Sequence, residues 1–588
     1  MCDRVLIVGL AVVVLAGCGG NGNGYRAPAT ATAVRTPAAT ATSPAPMQTP
    51  AATSTATTAV TNTGAPTPTA TRAATGTATA AATATSTAVA SPTEVSTATA
   101  TSTGTPIDTA TPTGTPTASP TATSAVPNPT IEGPVTGGRG SPFVQSTNFA
   151  LADVGYEQAE FFLSGTARAY TNLGEFGMDG VWPAGLAAGT AAYKTRIVVY
   201  RPIDPQQFNG TVVVEWLNVS GGLDAGPDWT FTHTELIREG YVWVGVSAQR
   251  VGIEGGGGPF NLSLKNIDAA RYGSLHHPGD TFSYDMFSQV GRALRDRRGA
   301  VDPLSGLQPE RLIAIGESQS AFRLVTYVNA VHPLVHIYDG FMIHSRGGGG
   351  AALSQAPEPD VPVPTVAFIR TDLDIPVLTF ETETDLLVLG FLPARQPDGP
   401  LFRLWEVAGT AHADTYSLVL GFVDKGGDPA VAEVMTIAKP IPGFIECDSP
   451  VNSGYQHFVL KAAIAALDRW VRGGEPPPIA PRLDVAEGEP PQYRVDEFGN
   501  ALGGIRTPVV DVPTAKLSGL GQTGGNFCRI FGTTVLFDAV RLAELYPMHD
   551  GYVMAVNDAT DAAVAAGFVL PADAPLIKQA AAESDIGS

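Results

Sequence analysis

The amino-acid sequence predicts an α/β fold built on a mainly parallel sheet, and three observations predict it. Near-continuous apolar runs of strand length recur from about residue 148 onward, as strands covered on both faces require. Segments of helical periodicity stand between several of them, the alternation that produces parallel sheets. One apolar run, "RLIAIG" (311–316), passes directly into a helical pattern through a serine-bearing turn, "ESQSAFRLV".

Taken from the start of the chain, Arg4 and the apolar core "VLIVGLAVVVLAG" (5–17) read as an export signal over residues 1–17. Thirteen residues are too few to cross a bilayer, which takes about 20. The string Leu15-Ala16-Gly17-Cys18 resembles a bacterial lipobox, which implies a lipid on Cys18. Residues 25–130 are almost all Ala, Thr, Pro, Ser and Gly, with five charges: Arg26, Arg35, Arg72, Glu94 and Asp108. That composition cannot offset its chain entropy, so residues 18–130 are expected to form an anchor and a disordered, rather extended tether.

The folded part is expected over residues 131–588. Its strands are read at "AEFFLSGTARAY", "TRIVVYRP" (195–202), "GTVVVEWLNV" (210–219), "GYVWVGVSAQ" (240–249), "RLIAIG", "YDGFMIHS" (338–345), "IPVLTFETETD" (375–385) and "LFRLWEVAG" (401–409). Helices are read at "SYDMFSQVGRALRD", where Met286, Val290 and Leu294 share a face, at "SAFRLVTYVNAVHPL", and at the amphipathic "YQHFVLKAAIAALDRWVRGG" (455–474). Residues 413–450 read as a lid-like insertion. Residues 475–588 read as a C-terminal extension with a hairpin around "DEFGNALGG" and two helices, near 537–546 and 558–566.

The chain carries 35 Lys/Arg and 55 Asp/Glu, of which only four and three lie in residues 1–130, leaving the body at −21. Such acidity excludes nucleic acid as a natural partner and fits a neutral substrate. Of four cysteines, Cys2 leaves with the signal and Cys18 is the lipobox residue. Cys447 and Cys528 remain, and in an oxidising compartment they are expected to form a disulfide. Their spacing fits no zinc pattern, and no metal or organic cofactor is expected.

The turn at Gly316-Glu317-Ser318-Gln319-Ser320 carries the chemistry. A serine hydroxyl is a weak nucleophile that needs a base within hydrogen-bond reach and amide donors for the developing oxyanion. A sharp strand-to-helix turn lifts the hydroxyl clear of the sheet and aims the next N–H, here of Gln319, at that oxyanion. Small residues two before and two after the serine let strand and helix pass; Gly316 and Ser320 meet that need. The rival reading has Ser318 simply capping the helix.

The partners should follow in the order acid, then histidine. "IPVLTFETETD" offers Glu381, Glu383 and Asp385; spacing from Pro376 favours Asp385, with Glu383 the alternative, and the others reading as solvated loop carboxylates. One strand later, His412 stands in the small-residue loop "TAHADTYS"; the other eight histidines read as structural or exposed. A second oxyanion donor is expected from the loop after "TVVVEWL", at Asn218 or Val219. Trp216 and Trp229 are candidates for pocket walls, Trp216 fitting core packing better. The glycine runs "GIEGGGGPF" and "RGGGG" read as flexible surface near the site.

Together "YEQAEFFLSGTARAY", "VVVEWLNVSGG", "GYVWVGVSAQRVGI", "RLIAIGESQSA", "PVLTFETETD" and "NSGYQHFVLKAAIAALDRWVRGGEPP" resemble the bacterial α/β-hydrolase domain family, often exported, over about residues 148–588. That family's elbow commonly ends in serine. The resemblance implies an α/β-hydrolase fold and a serine esterase acting on a small or medium ester, touching membrane only through its N-terminal lipid. An acyltransferase using an envelope alcohol, and a non-catalytic surface binding protein, are the rival expectations.

Overall fold

The computed structural model describes residues 125–296, 299–525 and 527–588. The signal, Cys18 and the linker up to residue 124 lie outside the described residues. Nine strands make one sheet: β1 (Thr130–Glu132), β2 (Tyr156–Asn172), β3 (Ala184–Pro202), β4 (Thr211–Trp216), β5 (Val242–Val246), β6 (Arg311–Glu317), β7 (Gly340–His344), β8 (Val377–Thr382) and β9 (Phe402–Val407). Their order across the sheet is β1-β2-β3-β5-β4-β6-β7-β8-β9. The long β2–β3 hairpin and the β3–β5 pair are antiparallel; the run β5-β4-β6-β7-β8-β9 is parallel throughout.

The parallel strands are apolar because both faces are covered. Every residue of β4, β5, β7, β8 and β9 is buried. Four helices supply most of the cover: α1 (Pro227–Arg238), α2 (Ser283–Arg295), α3 (Gln319–Thr326) and α4 (Gln456–Val471). On α2 the expected stripe of Met286, Val290 and Leu294 is fully buried. Helix α4 departs from the amphipathic expectation: all of Gln456–Asp468 is buried. Its outer face is covered by the C-terminal extension, where the Lys461 ammonium meets the Asp573 carboxylate at 3.1 Å. Among the described residues no helix is long and apolar enough to cross a membrane.

The C-terminal extension is part of the body. Ile505 pairs with the edge of β9, donating to Glu406 O and accepting from Ala408 N, and so covers a strand edge that would otherwise stay open. Beyond it lie a hairpin of β12 (Ala515–Ser518) and β13 (Thr533–Leu536), following the two-residue strands β10 (Val485–Ala486) and β11 (Gln492–Tyr493). The helix expected near 537–546 follows as Ala539–Leu545, and after it come helices α5 (His549–Ala565) and α6 (Ala574–Glu583). Helix α5 is longer than the 558–566 pattern suggests, and α6 has no counterpart in the sequence reading. The Cys447–Cys528 disulfide, Cα atoms 5.5 Å apart, joins the extension to segment 413–450 across 81 residues.

Segment 413–450 holds only short turns, Tyr416–Leu420 and Pro429–Ala432. Its base is anchored where the His233 ring reaches Asp424 O at 2.7 Å. Its exposed Phe444 stands edge-on to Phe260 of the glycine-rich loop, with ring centroids 5.6 Å apart. Strand order reverses around β4, with β5 on one side and β6 on the other. Such a switch opens a crevice at the carboxyl ends of the strands, where the chain leaves β4 at Leu217 and β6 at Ser318.

Candidate active site

The turn after β6 is sharp. Ser318 has φ 57° and ψ −118°, a region that L-residues rarely occupy and that costs of order 1–3 kcal/mol. It is held by the Ser318 N–H donating to His344 O of β7 at 2.9 Å. The Ser318 side chain makes no capping bond to α3, so the helix-cap reading fails here. A Cβ on Gly316 would sit 3.0 Å from Ser320 Cβ, which explains the glycine. Ser320 occupies the other small position, fully buried.

Three distant side chains meet at this rim. His412 Nε2 lies 2.8 Å from Ser318 Oγ, and His412 Nδ1 lies 2.7 Å from Asp385 Oδ1. Asp385 sits in a helical turn, Glu383–Leu387, directly after β8, with a capping box to Thr382. Its other oxygen, Oδ2, accepts from Thr382 N, Thr382 Oγ1 and Ser345 Oγ at 2.7–2.8 Å. Four donors thus fix this carboxylate, and through it the imidazole.

The neighbouring acids go elsewhere. Glu383 accepts from Gly409 N at 2.6 Å and Gly519 N at 2.8 Å, tying the loop before His412 to the C-terminal extension. Burial raises its carboxyl to about 7, against those amide donors. Glu381 is buried 4.0 Å from the Arg346 guanidinium. Neither is a solvated loop carboxylate, as the sequence suggested: β8 runs on through Thr382, so these side chains stay within the packed layers.

A fourth group, unforeseen in the sequence, touches the imidazole. Glu317 Oε1 lies 3.1 Å from His412 Nε2. Burial pushes the Glu317 carboxyl up to about 7, with His412 and His344 pulling the other way. For His412, burial opposes the charged form, but Glu317 and Asp385 outweigh it and hold the imidazole above its ordinary value. The only local signal for this group is the acidic residue directly before the serine.

The expected oxyanion donors divide. The loop after β4 is closed by reciprocal backbone bonds between Asn218 and Ala225, both 2.9 Å. The Asn218 amide donates to Glu317 O and Oε2 at 3.2 and 3.1 Å. Both kinds of Asn218 donor are therefore committed, a correction forced by that closed loop. The Val219 N–H has no acceptor among the described residues, and Gln319 opens α3, where N–H groups lack intrahelical acceptors.

Behind the elbow, His344 links β7 to α1 and α4. The Gln456 amide donates to its Nε2 at 2.9 Å, placing the proton on Nδ1, 2.8 Å from Asp228 Oδ1. Burial lowers His344 to about 4 and raises Asp228, so the imidazole is neutral and its role is support of the strand that holds Ser318 N. Trp216 and Trp229 are both fully buried among aromatic rings and wall no pocket. Nor is "RGGGG" surface: Arg346–Gly349 is buried, and a Cβ on Gly347 would meet Leu389 O and Phe322 Cζ at 2.6 Å. These glycines permit close backbone approach.

Comparison with solved structures returns distant matches. A fungal esterase of Rhizomucor miehei shares 13% identity, over 53% of this chain and 85% of that one, with a TM-score of 0.23. A glucuronoyl esterase from Solibacter usitatus shares 9%, over 49% and 83%, with a TM-score of 0.23. Acetyl xylan esterase 1 from Thermoanaerobacterium sp. shares 8%, over 47% and 80%, with a TM-score of 0.24. No curated protein matches this chain. A family model does: the alpha/beta hydrolase domain model spans residues 131–579, and the chain belongs to that family.

Proposed function

We propose that the protein hydrolyses carboxylic esters through an acyl-enzyme. The observation that carries this reading is the continuous relay Ser318–His412–Asp385, with spacings of 2.8 and 2.7 Å on a strained turn. His412 Nε2 takes the Ser318 proton as Oγ attacks the ester carbonyl. The Gln319 and Val219 N–H groups receive the oxyanion. As the tetrahedral species collapses, the imidazolium returns the proton to the departing alcohol. Water then attacks the acyl-serine, giving its proton to His412; the second tetrahedral species collapses, the acyl–Oγ bond breaks, the imidazolium returns the proton to Ser318 Oγ, and the carboxylic acid leaves. Asp385 holds the imidazole in register and stabilises its charged form throughout.

The signal, the lipobox Cys18 and the linker add a location to this reading: an enzyme tethered by lipid at the outer side of a cell membrane and reaching outward for a small or medium ester. The test is turnover of an ester panel by the purified chain, with products analysed in the presence and absence of an alcohol acceptor. Release of free acid in both conditions is expected. Quantitative transfer of the acyl group to the alcohol in dilute aqueous buffer would replace hydrolysis with acyl transfer.

A further inference from the structure

One cluster of donors has no part in ester cleavage. Beyond α3 the helical path continues through the π-turn Tyr327–Val331 into His332–Val335. His332 lies fourteen residues past Ser318, roughly 20 Å along a helix axis at 1.5 Å per residue. It is fully buried, and neither ring nitrogen has a hydrogen-bond partner. An imidazole in that condition has lost its hydrogen bonds to water and gained none in return.

Its Nε2 faces Asp374 Oδ1 at 4.0 Å, and His336 Nδ1 faces the same oxygen at 3.9 Å. One ligand atom from each of the three residues lies within 4.8 Å of the others. His336 ends the helix in a left-handed conformation, φ 45°, with its ring centroid 5.1 Å from that of His332. The neighbouring cation, Arg370, is engaged by Asp372 at 2.7 and 2.8 Å and by Asn329 O at 2.8 Å.

We propose that His332, His336 and Asp374 bind a zinc-type cation, with water in the fourth position. Two imidazoles and one carboxylate suit a borderline-soft divalent ion. With metal–ligand bonds of about 2.0–2.1 Å, a tetrahedral shell sets ligand atoms roughly 3.3 Å apart. The two spacings to Asp374 exceed that by about 0.6–0.7 Å, and the spacing between the two imidazoles, bounded at 4.8 Å, by at most about 1.5 Å, a closure that rotation of the two exposed side chains can supply. Asp374 is 72% exposed at its side chain and His336 45%, so both have room to move and the ion a route in. Bound there, the ion clips the far end of the nucleophile-bearing helix to the segment leading into β8, which delivers Asp385. The buried His332 is the fixed point, and the two exposed residues close on it.

The test uses the full chain without a polyhistidine tag, stripped with chelator, then titrated with Zn²⁺ by calorimetry and with Co²⁺ by visible absorption. One equivalent is expected to bind, with the d–d bands of four-coordinate cobalt and a rise in melting temperature with Zn²⁺. Asp374→Asn and His336→Asn, the latter chosen because Asn tolerates the left-handed backbone, should each weaken binding by about 100-fold or more and remove the rise. Both variants should match the parent in melting temperature and ester turnover under chelator. Absence of saturable binding by the parent would overturn the proposal. So would binding unchanged in both variants, which with inhibition of turnover would place the ion on His412.

Discussion

Glu317 sets a carboxylate oxygen 3.1 Å from His412 Nε2, the same nitrogen that stands 2.8 Å from Ser318 Oγ. The imidazole therefore has a carboxylate on each side, Asp385 at Nδ1 and Glu317 at Nε2. General-base action needs neutral His412. Because its pKa is raised, kcat/KM should climb with pH through a midpoint above the ordinary imidazole value. In Glu317→Gln one source of that elevation is gone, so the acid limb should move to lower pH. The plateau should stay within about tenfold, since Glu317 is not the proton acceptor from Ser318. A pH–rate profile of both proteins decides this; an unmoved limb would remove Glu317 from the account.

The two acids after β8 should separate by function. Asp385→Asn leaves shape nearly intact but disturbs the imidazole tautomer, and should lower kcat by about 10³–10⁴-fold. Glu383→Gln unties the loops at Gly409 and Gly519. It should lower the melting temperature while costing kcat far less than the Asp385 change. Steady-state kinetics beside thermal unfolding of the two variants checks the distinction.

At the elbow, Gly316→Ala should destabilise the chain by about 1–3 kcal/mol, the usual range for overpacking, because the new methyl meets Ser320 Cβ and Leu324 Cδ1. Ser320→Gly alone should leave turnover near that of the parent. Combined with Gly316→Ala it should recover part of the lost stability, measured by denaturant unfolding of all three variants.

Replacing Cys447 and Cys528 together with Ser should cost about 2–4 kcal/mol, since the bridge closes a loop of 81 residues in the unfolded chain. The bridge holds segment 413–450 against the extension and touches none of the relay residues. Unfolding midpoints should therefore fall while kcat on a short ester is kept; comparison of the oxidised parent with the double variant checks both, and the reduced parent should behave like the variant.

The six parallel strands β4–β9 were legible because each is an apolar run buried on both faces, as in "TVVVEW" and "FRLWEV"; of β3 only residues 195–202 were read, because its first half runs half-buried or exposed and carries no long apolar run. Three-residue β1 was not legible, and neither was the β12–β13 hairpin, where Val535 and Leu536 remain exposed. Composition also misled at Arg346–Gly350, because glycine marks close backbone packing as readily as mobility. Serine, histidine and aspartate could be proposed from order and spacing along the chain. The settings of Glu317 and Glu383 could not: the first needs the approach of the His412 loop, the second the approach of Gly519 from 136 residues away. The site at His332 was hidden likewise, its third donor arriving from a separate loop.

The central claim is that Ser318 Oγ becomes covalently acylated. Labelling of the purified chain with a fluorophosphonate, followed by peptide mapping, measures this directly. One equivalent of label on Ser318 is expected, with neither label nor ester turnover in a folded Ser318→Ala variant. Full turnover by that variant, or label on another residue, would contradict the account.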